Sequence, residues 1–286
     1  MERKKVTVLD LQRKRDEGEK ITMLTAFDYA TGKIAEEAGI DVLLVGDSLG
    51  MVILGREHTV SVTMEEVLHH CEGVACGARH PLLVGDMPFM SYQVDVKEAI
   101  RNAGRFLKEG GMDVVKLEGG REIAATVKAI VDAGVPVMGH IGLTPQHVSK
   151  YGGYRVQGKD VASARALIDD ALALEDAGLF CLSLEAVPAP VARLITERVQ
   201  IPTIGIGSGP HCDGQTLLIY DLVGMFDRFV PKYVKQYARI YPQMLEAVET
   251  YRQEVIEGAF PDADHSYGMP EEALQELLKE LGEEPV

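Results

Sequence analysis

VLLVGDSLGM, residues 42–51, runs four apolar residues into Gly-Asp-Ser, and PLLVGDMPFM, residues 81–90, does nearly the same 39 positions later. A short unbroken apolar run bounded by turn residues marks a strand covered on both faces, as in a parallel sheet. Six more segments read alike: ITMLTAFD (21–28), DVVKLEGG (113–120), VPVMGHIGL (135–143), LFCLSLEAV (179–187), IPTIGIGSG (201–209) and TLLIYDLVG (216–224). Helix signals lie between them. Thr63 with Glu66 and Asp95 with Glu98 have capping-box spacing. EEAGI, KEGGM, VDAGV and EDAGL place Gly39, Gly110, Gly134 and Gly178 where a left-handed residue closes a helix before the next strand. A strand–turn–helix–Gly unit repeated about eight times predicts a (β/α)8 TIM barrel over about residues 20–240, ahead of a doubly wound open sheet. The remainder, about 241–286, reads as a helical extension ending in the acidic amphipathic PEEALQELLKELGEEPV. One domain spanning 1–286 is the expectation, with connections 49–62 and 142–160 long enough to serve as lids.

Composition narrows the function. Apolar residues make up 46% of the 286, ample for a barrel core, and the net charge of −15 argues against a nucleic-acid partner. Cys71, Cys76, Cys181 and Cys212 form neither a CxxC pair nor metal-finger spacing. They read as reduced thiols, and the expected location is cytoplasmic. No apolar run reaches the ~20 residues of a membrane span, and the charged N-terminus does not read as a signal peptide.

In a parallel barrel the active site forms at the C-terminal ends of the strands. Asp47 and Ser48 end the second strand, Asp86 the third, Lys116 and Glu118 the fourth, His140 the fifth and Glu185 the sixth. Side chains alternate along a strand, so Val45 with Asp47, Val84 with Asp86 and Ser183 with Glu185 are expected to share the inward face. Each residue has a plainer reading alone: an Asp at a strand end commonly caps the next helix, and a lone histidine is more often a satisfied core residue. GIGSG (205–209) reads as a tight turn rather than a phosphate cradle, and His69, His70, Cys71 and Cys76 as ordinary helix-face residues. Lys116 and Glu185 inside apolar strands resist such readings, because such charges are seldom buried unpaired. Carboxylates gathered without a His/Cys cluster suit a hard, oxygen-seeking cation such as Mg²⁺. That ion leaves room for the keto and carboxylate oxygens of a 2-oxo acid. The chemistry implied is proton abstraction beside a polarised carbonyl, giving an enolate.

At these residues the chain resembles the ketopantoate hydroxymethyltransferase family. TAFDY, VGDSLGM, DMPFMSY, VKLEGG, GHIGLTPQ, GGYRVQG, LEAVP, IPTIGIGSG and FVPKY occur in order from about 25 to 233, and only the GSG at 207–209 departs from the usual Gly-Ala-Gly. The resemblance implies a barrel of the phosphoenolpyruvate/pyruvate type and Mg²⁺, one ion per subunit. It implies α-ketoisovalerate as acceptor and 5,10-methylenetetrahydrofolate as one-carbon donor, on the route to pantothenate and coenzyme A. Carried over, Asp47 and Asp86 are Mg²⁺ ligands that thereby bind substrate, and Glu118 is an outer or third ligand. Ser48 and Lys116 contact the substrate carboxylate, Glu185 is the proton acceptor, and His140 is at most accessory. The family pattern also implies a homodecamer of two stacked pentamers.

Two other readings compete. Isocitrate lyase and phosphoenolpyruvate mutase place Mg²⁺ beside a 2-oxo acid on the same barrel, but the lyase's KKCGH loop is missing here. A non-catalytic, metabolite-binding barrel would be expected to have lost a rim charge, and none is lost.

Overall fold

The computed structural model describes residues 3–283. Eight strands, β1 (Ile21–Thr25), β2 (Val42–Val45), β3 (Leu82–Asp86), β4 (Val114–Glu118), β5 (Val137–Gly142), β6 (Cys181–Glu185), β7 (Thr203–Ile206) and β8 (Gly214–Leu218), form a closed barrel. Every neighbouring pair is parallel, and β1 pairs with β8 to close the sheet. The (β/α)8 barrel read from the sequence is therefore the observed architecture.

Alternation along the strands divides the core in two. Ile21, Met23, Val42, Leu44, Leu82, Val84, Val114, Met138, Cys181 and Ile204 fill the barrel interior. Leu11, on the N-terminal helix Val8–Glu17, packs with them and so plugs the end where the strands begin. The odd-numbered neighbours Leu43, Val45, Leu83, Val115 and Leu117 face outward into a second layer with Ala35, Val74, Phe106, Val127 and Leu174 of the surrounding helices. Phe106 lies so close over β3 that a Cβ on Gly85 would meet its ring at 2.2 Å. Deleting that ring would cost about 3–5 kcal/mol.

Several local expectations need correction. Val45 does not share an inward face with Asp47: Val42 and Leu44 occupy the inward positions of β2, and Val45 belongs to the outer layer. The inward alternation continues to Gly46, so Asp47 enters the mouth from the turn beyond the strand. Strand β8 spans Gly214–Leu218, and Ile219–Leu222 is already a helical turn. The connection from β7 to β8, residues 207–213, contains no helix. At the end of the helix Val96–Lys108 it is Gly111, with φ 68°, that turns left-handed, whereas Gly39, Gly134 and Gly178 do so as expected. Thr63–Glu66 forms the full capping box, while Asp95 caps by accepting from Glu98 N alone.

Contacts divide the chain into two compact units, separating after Ala238. The first holds the barrel. The second comprises helices Ile240–Glu257 and Glu271–Leu281, the expected helical tail. Among the described residues no helix is long and apolar enough to cross a membrane.

Candidate active site

Register brings the rim charges together. Side chains of directly opposed residues in a parallel pair project to the same face, and the register opposes Asp86 to Lys116, Glu118 to His140, and His140 to Ser183. Because Val84, Val114, Met138 and Cys181 point inward, so do Asp86, Lys116, Glu118, His140 and Glu185, one or two pleats further along. Lys116 Nζ lies 2.8 Å from Asp86 Oδ1 and 3.7 Å from Glu118 Oε1. His140 Nδ1 is 3.3 Å from Glu118 Oε1, and its Nε2 is 3.3 Å from Glu185 Oε2. The expected accessory histidine thus bridges two carboxylates.

Asp47, Asp86 and Glu118 are all buried, and each offers a carboxylate oxygen within 4.8 Å of the others. Gly46 makes this approach feasible: a Cβ there would stand 2.9 Å from Asp86 Oδ2. Neither aspartate caps a helix. Asp47 Oδ2 instead accepts a 3.0 Å hydrogen bond from Gln146 Nε2. Asp86 Oδ1 is buried and in ionic contact with Lys116 but lacks a hydrogen-bond partner.

Electrostatics follow from burial and proximity. Burial, then the neighbouring Asp86 and Glu118, hold the Asp47 carboxyl well above the usual carboxylate range. Burial also raises Asp86, to about 6, against the pull of Lys116. Burial pushes Glu118 the same way, but His140 and Lys116 outweigh it and its pKa is lowered. For Lys116, burial is outweighed by Asp86, Glu118 and Asp47, and its pKa rises. His140 is raised to about 9: burial and Lys116 oppose its charge, but Glu118 and Glu185 favour it more. Three crowded, buried carboxylates fit a hard divalent cation, whose charge would keep both aspartates ionised.

Two residues that the strand pattern did not single out organise this cluster. Gln146 donates from Nε2 to Asp47 Oδ2 and, at 2.9 Å, to Met87 O, and its backbone N–H donates to Glu118 Oε2 at 3.1 Å. The Tyr92 hydroxyl accepts from Glu118 N and faces two acceptors, Gln146 Oε1 and Glu118 O, each at 2.8 Å. The only sequence signal for either was its place within DMPFMSY or GHIGLTPQ.

These groups open into a cavity of about 1160 Å³. Ser48 lines it from the start of the short helix Leu49–Val52, and Glu185 lines the opposite strand. Ala186, directly after Glu185, takes a left-handed φ of 48°, a conformation uncommon outside glycine. Ser208 braces that turn, accepting from Val187 N and donating to Leu184 O at 2.7 Å; within GIGSG, Gly205 and Ile206 end β7, and Gly207 and Gly209 take left-handed φ of 66° and 81°. The two long connections meet over the mouth, where the Tyr154 hydroxyl contacts Met51 Sδ and its ring lies tilted against that of His58, with centroids 6.4 Å apart.

Comparison with known proteins places the chain in context. The family model described as ketopantoate hydroxymethyltransferase matches residues 5–263. The 3-methyl-2-oxobutanoate hydroxymethyltransferase of Carboxydothermus hydrogenoformans is 56% identical, over 96% of this chain and 99% of the relative. That of Syntrophomonas wolfei is 52% identical over the same shares. Among solved structures, phosphonopyruvate hydrolase in complex with oxalate and Mg²⁺ aligns with a TM-score of 0.61 at 11% identity, covering 97% of this chain and 95% of that one. For 2,3-dimethylmalate lyase, of the phosphoenolpyruvate mutase/isocitrate lyase superfamily, the TM-score is 0.59 at 14% identity, covering 96% and 97%. Likeness at that identity extends to the fold alone.

Proposed function

Because the chain belongs to the ketopantoate hydroxymethyltransferase family, we propose that Asp47, Asp86 and Glu118 hold Mg²⁺ and that 5,10-methylenetetrahydrofolate donates the one-carbon unit. The family's reaction places a hydroxymethyl group on 3-methyl-2-oxobutanoate to give ketopantoate, and the chain is an enzyme of that kind. The observation carrying the metal assignment is the convergence of three buried carboxylates on one point at the barrel mouth. Bound there, Mg²⁺ would polarise the keto oxygen of the 2-oxo acid and acidify its C3–H.

The chain's own residues supply the rest. Lys116, charged and buried, and Ser48 at the mouth of the same cavity receive the substrate carboxylate. Glu185 takes the C3 proton; the C–H pair moves into the C2–C3 bond and the carbonyl becomes an enolate. His140, 3.3 Å from Glu185, orients that carboxylate toward the substrate. Water adds to the folate methylene and both of its C–N bonds break, releasing tetrahydrofolate; the enolate carbon bonds to the resulting formaldehyde-level carbon, whose oxygen takes a proton and becomes the hydroxyl. The loops joined through Tyr154 hold bulk water from the enolate. A homodecamer working in the cytoplasm completes the reading.

The test is NMR detection of ketopantoate formed from 3-methyl-2-oxobutanoate and ¹³C-labelled methylenetetrahydrofolate, with Mg²⁺ and then with EDTA. Labelled product that vanishes with EDTA is expected. Loss of the C3 proton signal in D₂O without product would overturn the donor; neither product nor exchange would overturn the enolate chemistry.

A further inference from the structure

One carboxylate in the cavity is left unused by this chemistry. Asp221 sits in the helical turn after β8, is only 7% exposed, and lines the cavity that holds the metal cluster. Among the described residues its side chain has neither a hydrogen bond nor an ion pair, and burial alone raises its pKa to about 6. A buried carboxylate without partners is costly, and its retention points to a ligand that supplies the missing donors.

The surroundings define that ligand. Phe226, Phe229 and Tyr233 line the same cavity and give it an aromatic wall, the two phenylalanines packed edge to face with ring centroids 5.4 Å apart. Thr216, inward-facing on β8, has a buried hydroxyl with no partner. Tyr233 lines this cavity together with both Glu185 and Asp221, and burial with the charges of those two carboxylates raises its pKa. A planar molecule held at Asp221 would therefore share the cavity with Glu185. A carboxylate's two oxygens match two parallel N–H donors. The 2-amino-4-oxopyrimidine ring of a reduced pterin presents such a pair in its N3–H and 2-amino group.

We propose that Asp221 anchors the pterin ring of the folate co-substrate by accepting from N3–H and the 2-amino group. The proposal rests on the folate reading above. It assigns the pterin, rather than the glutamate tail, to the β8 side of the cavity, with its methylene-bearing edge toward Glu185.

The experiment pairs a protein change with a ligand change. Isothermal titration calorimetry would measure binding of tetrahydrofolate, and of its 2-desamino-2-methyl analogue, to the wild-type protein and to Asp221→Asn. Two charge-assisted hydrogen bonds predict about 10- to 100-fold weaker tetrahydrofolate binding by Asp221→Asn. Removing the amino group should weaken binding to the wild type by about tenfold or more, and to the variant far less. An equal penalty in both proteins would overturn the role of Asp221 while leaving the donor intact. Failure of the wild type to bind tetrahydrofolate at all would overturn the donor, and this inference with it. Should Asp221→Asn not fold by circular dichroism, Asp221→Ser provides the same comparison.

Discussion

Replacing Gln146 by leucine tests whether the proposed Mg²⁺ site is built by its supporting shell as well as by its three carboxylates. Leucine approximates the volume and leaves the fold's apolar contacts in place. It removes the Nε2 donor from Asp47 Oδ2 and Met87 O and the Oε1 acceptor from Tyr92. Tyr92 loses little, because its hydroxyl proton still has Glu118 O at 2.8 Å. The other two acceptors are stranded at about 1–3 kcal/mol each, so stability should fall by about 2–6 kcal/mol. The more telling effect falls on the metal. The amide holds Asp47 in one orientation and favours its ionised form. Without it the carboxylate wanders, and its already raised pKa rises further. Loss of a partner that orients a ligand typically weakens metal binding about 10- to 100-fold, about 1.4–2.8 kcal/mol. Calorimetric titration of the variant with Mg²⁺, checked by Mn²⁺ electron paramagnetic resonance, gives the affinity, and circular dichroism reports folding. Tyr92→Phe should move affinity the same way by less. A folded Gln146→Leu protein that binds Mg²⁺ within about twofold of wild type would refute the reasoning.

Three other outcomes follow from the same geometry. Glu185→Gln should bind Mg²⁺ normally yet slow C3–H exchange of 3-methyl-2-oxobutanoate in D₂O by about 100-fold or more; unimpaired exchange would remove Glu185 as the base. Gly46→Ala would drive a methyl to 2.9 Å from Asp86 Oδ2 and should weaken Mg²⁺ binding without changing any charge, an effect absent if Asp86 is no ligand. In EDTA, thermal stability should fall as pH rises. Asp47 and Asp86 are raised in the fold above 3.8, so the stabilisation they give when protonated is full below 3.8 and is lost as pH rises through their raised values, about 6 for Asp86. His140, raised from 6.5 to about 9, acts in the same direction at higher pH; Glu118, lowered, acts oppositely near its usual 4.5. Asp221 has the same sign as Asp86. Excess Mg²⁺ should restore stability near neutral pH through the cluster alone, and a melting temperature indifferent to Mg²⁺ would dissociate the cluster from metal.

The barrel was legible because its strands are short apolar runs whose ends carry charge, and each charge from Asp86 to Glu185 follows an inward apolar residue by two or four positions. Chemistry and alternation agreed there, so the residues on four successive strands could be placed on one rim from sequence. Asp47 was identified for a reason that does not hold. Counting back by two reached Val45, which faces the helices, because the inward phase of β2 runs through Leu44 to Gly46. A one-residue error of phase reverses a side chain, and only the turn beyond the strand brings Asp47 back to the mouth. That correction shows what the Gly-Asp pair does at each site. After β2 the glycine takes the inward position and vacates the space that the aspartate of the next strand needs. In β3 the glycine faces outward beneath Phe106, and it is the aspartate that points inward. The same two letters therefore serve opposite faces 39 residues apart, and the three-carboxylate cluster at the mouth exists because they do. Gln146 and Asp221 had no such handle. Each lies beyond its strand in irregular or single-turn backbone, where no period relates sequence to direction. Their significance lies in what they touch or fail to touch, which only the folded chain supplies.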